Sequence, residues 1–146
     1  MEKEIKNFQG YLLNNNLSNN SIEAYSKDII LLNNYLKENN LTLKNATNQN
    51  IIDYLNIKPL KTTSYNRKVT SIIEFYKFLN TKNIKNNIDL NQIEHIKNDK
   101  VYPKIIKYSD ILNMLKTFDD DIIGNRNKAI ILLLYISGLR VSELLN

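Results

Sequence analysis

The chain has 146 residues, of which 42% are hydrophobic and 24% charged, proportions that indicate a soluble globular protein with one ordinary domain or two small ones. It contains one histidine and no cysteine, which excludes disulfides and thiolate chemistry and leaves few ligands for a metal. The charged N-terminus does not have the pattern of a signal peptide, and the longest apolar run, residues 129–136, is shorter than the ~20 residues that cross a bilayer. We therefore expect a cytoplasmic protein with no metal, no cofactor and no membrane partner.

The net charge of +5 is concentrated in the middle of the chain. Residues 58–107 carry eleven basic and four acidic residues, a net charge of +7, whereas residues 1–57 and 108–146 each carry a net charge of −1. A concentrated basic segment is the electrostatic footprint of a protein that binds a polyanion, most often nucleic acid. The alternative is a solvated lysine-rich surface in a lysine-rich chain.

Apolar residues recur at spacings of three and four along most of the chain, and no stretch alternates with period two. This pattern predicts helices throughout. The first predicted helix covers residues 2–15 and turns Leu12 and Leu13 inward, and the second covers about 21–39.

Polar residues at the start of each later helix are candidates for its N-cap, where a side-chain oxygen accepts from an unpaired backbone N–H group. The candidates are Ser18 or Asn20 for the second helix, Thr47 for the third, Thr62 or Thr63 for the fourth, and Ser109 for the helix that follows Pro103. The Lys58-Pro59 pair ends the third helix, and the fourth reaches about Leu79.

Residues 81–104 are polar, basic and weakly periodic, as in a linker. After it, "RNKAIILLLYIS" at 126–137 is apolar nearly all round and predicts a buried helix that ends at Gly138. The pattern predicts a four-helix domain over residues 1–95, a basic linker over 96–107 and a second helical unit over 108–146. Since two short helices and the start of a third do not complete a core, we expect this second unit to be a domain that is cut off.

Four stretches resemble motifs of one protein family. "FQGYLLNNNLSNNSIEAYSKDIILLNNYL" and "TTSYNRKVTSIIEFYKFL" are similar to the opening helices and the basic DNA-facing helix of the core-binding domain of the tyrosine recombinases, which include phage integrases and Xer-type recombinases. "VYPKIIKYSDILNML" resembles their linker proline and first catalytic helix. "RNKAIILLLYISGLRVSELLN" is close to the first catalytic box of the family, and this match is the most specific of the four.

The resemblance implies an all-α fold, in which a SAM-like four-helix core-binding domain precedes the first helices of a truncated catalytic domain. It also implies double-stranded DNA as the partner, other recombinase protomers in a synaptic complex if the protein is full length, and no small-molecule substrate. Full-length members cleave DNA by attack of a tyrosine hydroxyl on a phosphodiester, which gives a 3′-phosphotyrosyl intermediate.

Arg140 matches the first catalytic arginine of the family, and Glu143 is expected to support its guanidinium or the local turn. A guanidinium suits this position because it is always charged and grips two phosphate oxygens at once. Outside the full pattern, the same residues would read as a helix C-cap at Gly138 followed by a surface arginine.

The other catalytic residues that the family requires are not matched. They are a hairpin lysine, a His-x-x-Arg pair, a further His or Trp, and the tyrosine nucleophile. His95 lies in the predicted linker, and none of the nine tyrosines stands in a nucleophile context. We therefore expect the chain to be inactive in DNA cleavage by itself.

The resemblance and the positive charge place candidate DNA contacts in three segments. The first segment is the start of the fourth helix, where backbone N–H groups also point at phosphate, the second is the start of the second helix, and the third is the linker. The candidates are Lys61, Thr62, Thr63, Asn66, Arg67 and Lys68; Asn19, Asn20 and Ser21; and Lys100 and Lys104. Glu74 weakens the basic face of the fourth helix.

Three functions compete at this point. The chain is either the DNA-binding part of a tyrosine recombinase, a free-standing module that occupies recombination sites without catalysis, or a helical protein–protein interaction module. Steep salt dependence of DNA binding would favour the first two over the third.

Overall fold

A computed structural model describes residues 2–97 and 103–145, with the side chain of Glu2 excepted. Seven α-helices occur in these residues, together with a 3₁₀ turn at Leu90–Gln92, and none of the described residues forms a strand. The helices are α1 (Glu2–Asn14), α2 (Asn19–Glu38), α3 (Asn48–Asn56), α4 (Thr62–Thr81), α5 (Tyr108–Leu115), α6 (Ile122–Ser137) and α7 (Val141–Leu144). The predicted all-α fold is therefore confirmed. None of the described helices is long and apolar enough to cross a membrane.

The chain divides into two compact units, Met1–Asp99 and Lys100–Asn146. The first contains α1 to α4 and the second contains α5 to α7. That these units act as a core-binding domain and a catalytic fragment, joined by a linker over 96–107, stays a prediction.

The core of the first unit is formed by one apolar face from each of its four helices. Phe8 on α1 packs edge-on against Phe75 on α4, with ring centroids 5.2 Å apart, and contacts Phe78 at 5.7 Å. The predicted inward position of Leu13 is wrong, because this side chain is 59% exposed. Ile5, Phe8 and Leu12 already form the stripe, and Leu13 lies about 100° away from Leu12 around the helix.

Tyr76 of α4 also belongs to this core, with its ring 5.7 Å from that of Phe75. Its hydroxyl donates to the carbonyl oxygen of Leu43 at 2.9 Å, and burial raises the pKa of Tyr76 well above its usual range. The ring is fully buried and the hydroxyl is bonded to the backbone, so Tyr76 is a structural residue.

Two of the predicted caps are confirmed, and those of α4 and α5 are wrong. Ser109 lies inside α5, whose N-cap residue is Lys107. Ser18 accepts from the backbone N–H of Ser21 at the start of α2, and Thr47 pairs with Asn50 at the start of α3 in a reciprocal capping box. Neither Thr62 nor Thr63 caps α4, since the extended residue before this helix is Lys61, whose side chain makes no capping hydrogen bond. The helix thus begins one residue earlier than a threonine cap requires.

Helices α2 and α4 lie side by side and run in the same direction. Near their starts, Arg67 contacts the carbonyl oxygen of Ala24, and one turn later Ser71 contacts Asp28. Near their ends, Asn33 and Lys37 of α2 line the same surface hollow as Phe75 and Leu79 of α4. The sequence offset between facing residues stays nearly constant, so the two N-termini lie at the same end of the unit.

Residues 84–96 contact the helices, although the stretch 81–104 has the polar, weakly periodic pattern of a linker. Ile93 is buried in the core, and Ile84, Ile88 and Leu90 pack against it. Asn48 of α3 holds Asp89 by two hydrogen bonds of 2.7 and 2.9 Å. The apolar residues of this segment pack against the core but do not recur with helical periodicity. The segment therefore resembles a linker when only its sequence is considered.

In the second unit, α5 packs against α6, and the rings of Tyr108 and Tyr135 stack at 6.0 Å. The carboxylate of Asp121 caps α6 by accepting from the N–H of Gly124 at 2.6 Å. The predicted burial of α6 is wrong, because Gly124 is the one buried residue within this helix. Its apolar surface runs all the way round, and the short α5 covers part of it.

Candidate nucleic-acid interface

The structure brings together the starts of α2 and α4, the two helix ends at which candidate DNA contacts were predicted. Because the helices are parallel and in register from Ala24 and Arg67 onward, the start of α2 (Asn19, Asn20 and Ser21) and the start of α4 (Thr62 and Thr63) lie at the same end of the first unit. The N–H groups in the first turn of a helix have no partner within it, and the helix dipole adds partial positive charge there. Two such ends therefore lie at the same end of the first unit, and in α2 one of the N–H groups, that of Ser21, already donates to Ser18.

The start of α4 is open to an anion. No side chain caps this end, and the first turns of both α2 and α4 lack acidic residues. Lys61 at the N-cap and Thr63 in the first turn are exposed, and no interaction within the described residues uses the ammonium of Lys61. This end combines free N–H donors, two hydroxyls and one cation, which are groups that bind phosphate oxygens.

One nitrogen of the Arg67 guanidinium contacts groups inside the first unit. Its Nη1 donates to Oδ2 of Asp28 on α2 and lies 3.4 Å from the carbonyl oxygen of Ala24. Asp28 is almost completely buried, and its Oδ2 also accepts from the hydroxyl of Ser71 at 2.9 Å. The side chain of Arg67 is nevertheless 43% exposed, so the guanidinium connects a buried carboxylate to the surface.

Lys68 also has a partner within the chain. Its ammonium lies 3.0 Å from the hydroxyl of Tyr54 on α3 and 4.7 Å from the centroid of that ring. The side chain is half-buried on the side of α4 that faces α3. Lys68 therefore ties two helices together, in addition to the DNA contact predicted for it.

Asn66 and Thr70 hold residues 95 and 96 against α4. The amide of Asn66 donates to the carbonyl oxygen of Ile96 and accepts from its N–H group, both at 2.8 Å. The hydroxyl of Thr70 lies 2.9 Å from Nε2 of His95. The geometry thus gives Asn66 a structural use, and places His95 in the first unit on the surface of α4.

Of the two lysines predicted to bind DNA in the linker, the structure describes one. Lys104 is exposed, and Lys100 lies outside the described residues. Glu74 is paired with Lys77 at 2.8 Å, and this hydrogen bond holds the pKa of Lys77 above its usual range. The pair contributes no net charge to α4, and the effect of Glu74 on DNA binding stays a prediction.

Arg140 lies at the start of α7, immediately after a sharp turn. Gly138 ends α6 with φ +63°, in the left-handed region that favours glycine, and its N–H donates to Leu134 at 3.1 Å. Glu143 accepts from the backbone N–H of Arg140 and from its Nη1, both at 2.8 Å. These bonds hold the pKa of Glu143 below its usual range, with the backbone bond as the larger cause. The Arg140 side chain is 81% exposed, and its catalytic role stays a prediction.

Comparison with known proteins identifies the family. The profile for "Phage integrase, N-terminal SAM-like domain" matches residues 5–83, which is more than half of the chain. The tyrosine recombinase XerD of Rickettsia bellii is 39% identical over 135 residues, covering 89% of this chain and 44% of that protein. The tyrosine recombinase XerC of Staphylococcus aureus strain JH9 is 34% identical over 137 residues, covering 90% of this chain and 45% of that protein.

The chain belongs to the tyrosine recombinase family. It spans less than half the length of these curated relatives. The family membership that the sequence motifs indicated is therefore confirmed, whereas the roles of individual residues in this chain stay predictions. Within the residues that the structure describes, no three His, Asp or Glu side chains come together as a metal site.

Sequence reasoning missed Asp28, Ser71 and Tyr54, the internal partners of the two basic residues on α4. For Asp28 a signal was available, because it lies three residues after Tyr25 and four before Leu32 on the apolar stripe of α2. A carboxylate on a core-facing stripe must be paired to be buried, and this requirement predicts a basic partner on a neighbouring helix. The identity of that partner is not readable from spacing.

Proposed function

We propose that this chain binds double-stranded DNA through the paired N-terminal ends of α2 and α4, as the DNA-binding part of a site-specific tyrosine recombinase. The observation that carries the proposal is the parallel register of the two helices, which puts two helix N-termini and Lys61 on one surface. The concentration of positive charge in residues 58–107 supports the same partner. In a complete recombinase, this part would hold the enzyme on its site in the cytoplasm while protomers assemble around the DNA.

We also propose that residues 1–146 do not cleave DNA by themselves. Arg140 is the one residue of the expected catalytic set that the sequence matches, and it stands exposed on a short helix with Glu143 as its partner. Stabilising the charge that develops at phosphorus requires several preorganised donors and a nucleophile within reach. Tyr76 is unsuited to attack, since it is buried in the core and its hydroxyl donates to the carbonyl oxygen of Leu43.

The test is equilibrium binding to a fluorescently labelled duplex of mixed sequence, measured by anisotropy between about 50 and 200 mM salt. Each phosphate contact contributes about 0.9 to the slope of log affinity against log salt concentration. We expect a steep slope for the wild-type chain and a slope lower by about one for K61A, because this variant loses one phosphate contact.

The helix supplies a matched control for this variant. Lys61 and Lys82 are the N-cap and C-cap residues of α4, both exposed, so K61A and K82A remove the same charge from opposite ends of one helix. We expect K82A to keep the wild-type slope. Equal losses in the two variants would refute the assignment of the surface, and a wild-type chain without salt-dependent binding would refute the proposed function.

A further inference from the structure

We infer that Asp28 is a positioning residue for DNA binding, which holds the guanidinium of Arg67 against α2 so that its remaining N–H groups face phosphate. The inference rests on the proposed DNA-binding function and deepens it. It is based on the ion pair in which the buried carboxylate of Asp28 holds the partly exposed guanidinium of Arg67 near the surface.

The carboxylate of Asp28 is fixed from two sides. It is 4% exposed, and its Oδ2 accepts from Nη1 of Arg67 and from the hydroxyl of Ser71, which is completely buried. The same Ser71 hydroxyl lies 2.9 Å from the carbonyl oxygen of Arg67 one turn earlier, so its single proton is shared between two acceptors. The acceptor is therefore rigid, since it is packed between two helices and bound to both ends of one turn of α4.

Arg67 keeps part of its binding capacity. A guanidinium has five N–H donors in a fixed fork, and the hydrogen bonds of Arg67 within the described residues use Nη1. The donors on Nε and Nη2 stay available, and the side chain is 43% exposed. Arg67 lies five residues after Thr62, about 7.5 Å along α4 from the uncapped end, so one DNA backbone can contact both.

Holding the guanidinium in place favours binding. A free arginine side chain loses about 2 kcal/mol of rotamer entropy when it is immobilised, and a base that is already held by its ion pair loses less on contacting phosphate. Lysine would not replace it, because a compact ammonium does not present a planar fork to a carboxylate and a phosphate at the same time.

The alternative is that Asp28 and Arg67 only tie α2 to α4. The two roles predict opposite signs for a neutral substitution of Asp28. If Asp28 only ties the helices, D28N removes a negative charge near the DNA and strengthens binding. If Asp28 positions Arg67, D28N weakens binding although the net charge of the protein rises by one.

The experiment measures duplex binding against salt for wild type, D28N and E23Q, with circular dichroism to establish that each variant is folded. Glu23 is an exposed acid five residues earlier on α2, so E23Q removes the same charge from the same helix without touching Arg67. We expect E23Q to bind as tightly as wild type or tighter. We expect D28N to bind about tenfold more weakly, the scale of a charge-assisted hydrogen bond, with a slope lower by about one.

Affinity of D28N equal to or above that of E23Q would overturn the inference. If D28N does not fold, R67K tests the same arrangement. Lysine keeps the positive charge and can reach Asp28, but it lacks the planar set of N–H donors that could contact Asp28 and a phosphate at the same time. We expect R67K to lose about one unit of slope while folded, and an unchanged slope would overturn the inference. If the wild-type chain binds no duplex, the proposed function is refuted. If K61A lowers the salt slope by about one while D28N binds as tightly as E23Q, only the role of Asp28 is refuted.

Discussion

Arg67 on α4 and Asp28 on α2 form an ion pair with one end buried and one end at the surface. The carboxylate has almost no access to water, whereas the guanidinium is 43% exposed. Removing water from a charge is costly unless a partner compensates for it, so the buried acid depends on this base. The same arginine belongs to the surface that we propose for DNA, and its substitution therefore acts on stability and on binding together.

R67A should destabilise the first unit. The variant leaves the Asp28 carboxylate buried with Ser71 as its remaining partner, at a cost on the order of 3 kcal/mol in the free energy of unfolding. For a unit of this size, the midpoint of thermal unfolding should fall by roughly 10 °C or more. Thermal unfolding followed by circular dichroism measures the midpoint. K61A is the control, and its midpoint should equal that of the wild-type chain. Equal midpoints for R67A and K61A would show that the ion pair contributes nothing to the fold.

N66A should release the segment that follows α4. Its amide makes both hydrogen bonds to Ile96, whereas Asn48 makes the corresponding pair to Asp89. Native-state hydrogen exchange of the Ile96 amide should accelerate about fivefold in N66A, the equivalent of about 1 kcal/mol for one hydrogen bond. Each variant is the control for the other, since N48A should accelerate exchange at Asp89 and leave Ile96 as in wild type. Exchange at Ile96 that is unchanged in N66A would contradict the contact.

Glu143 should titrate below the usual pKa of glutamate, as read from its side-chain carboxyl carbon by NMR. Because the folded pKa is depressed, the ionised form stabilises the turn at Arg140 above the unfolded pKa, and this stabilisation is lost as pH falls through the folded pKa. In R140A the backbone N–H, the larger cause, is still present, so the pKa of Glu143 should rise only part of the way. A full return to the usual value in R140A would assign the shift to the guanidinium instead.

The exposed apolar surface of α6 should cause self-association. Ile136 is 77% exposed and Leu133 49%, on a helix without a polar face. Light scattering should give a mass that rises with protein concentration for wild type and stays at the monomer value for a variant with both residues replaced by lysine. L13K is the control, because Leu13 is an isolated exposed leucine in the first unit and its replacement should leave association intact. A wild-type chain that stays monomeric at every concentration would contradict the prediction.

Local features of the fold were predictable from the sequence, whereas the internal partners of the site residues were not. Ser18 and Thr47 were predicted as caps because a cap and the N–H groups that it accepts from lie within three residues of each other. The partners of Arg67 and Asn66 lie 39 and 30 residues away along the chain, and spacing carries no information about such pairs. For α6, hydropathy indicates that the helix needs cover but not which residues supply it.

The central claim, that DNA lies at the N-terminal ends of α2 and α4, is tested most directly by single-site photocrosslinking. The chain has no cysteine, so T63C and T81C each carry one thiol for a photoactivatable azide. Both threonines are exposed, lie on the same side of α4 and are about 27 Å apart along its axis, at opposite ends. We predict efficient crosslinking to a labelled duplex from T63C and little from T81C, whereas equal or stronger crosslinking from T81C would contradict the claim.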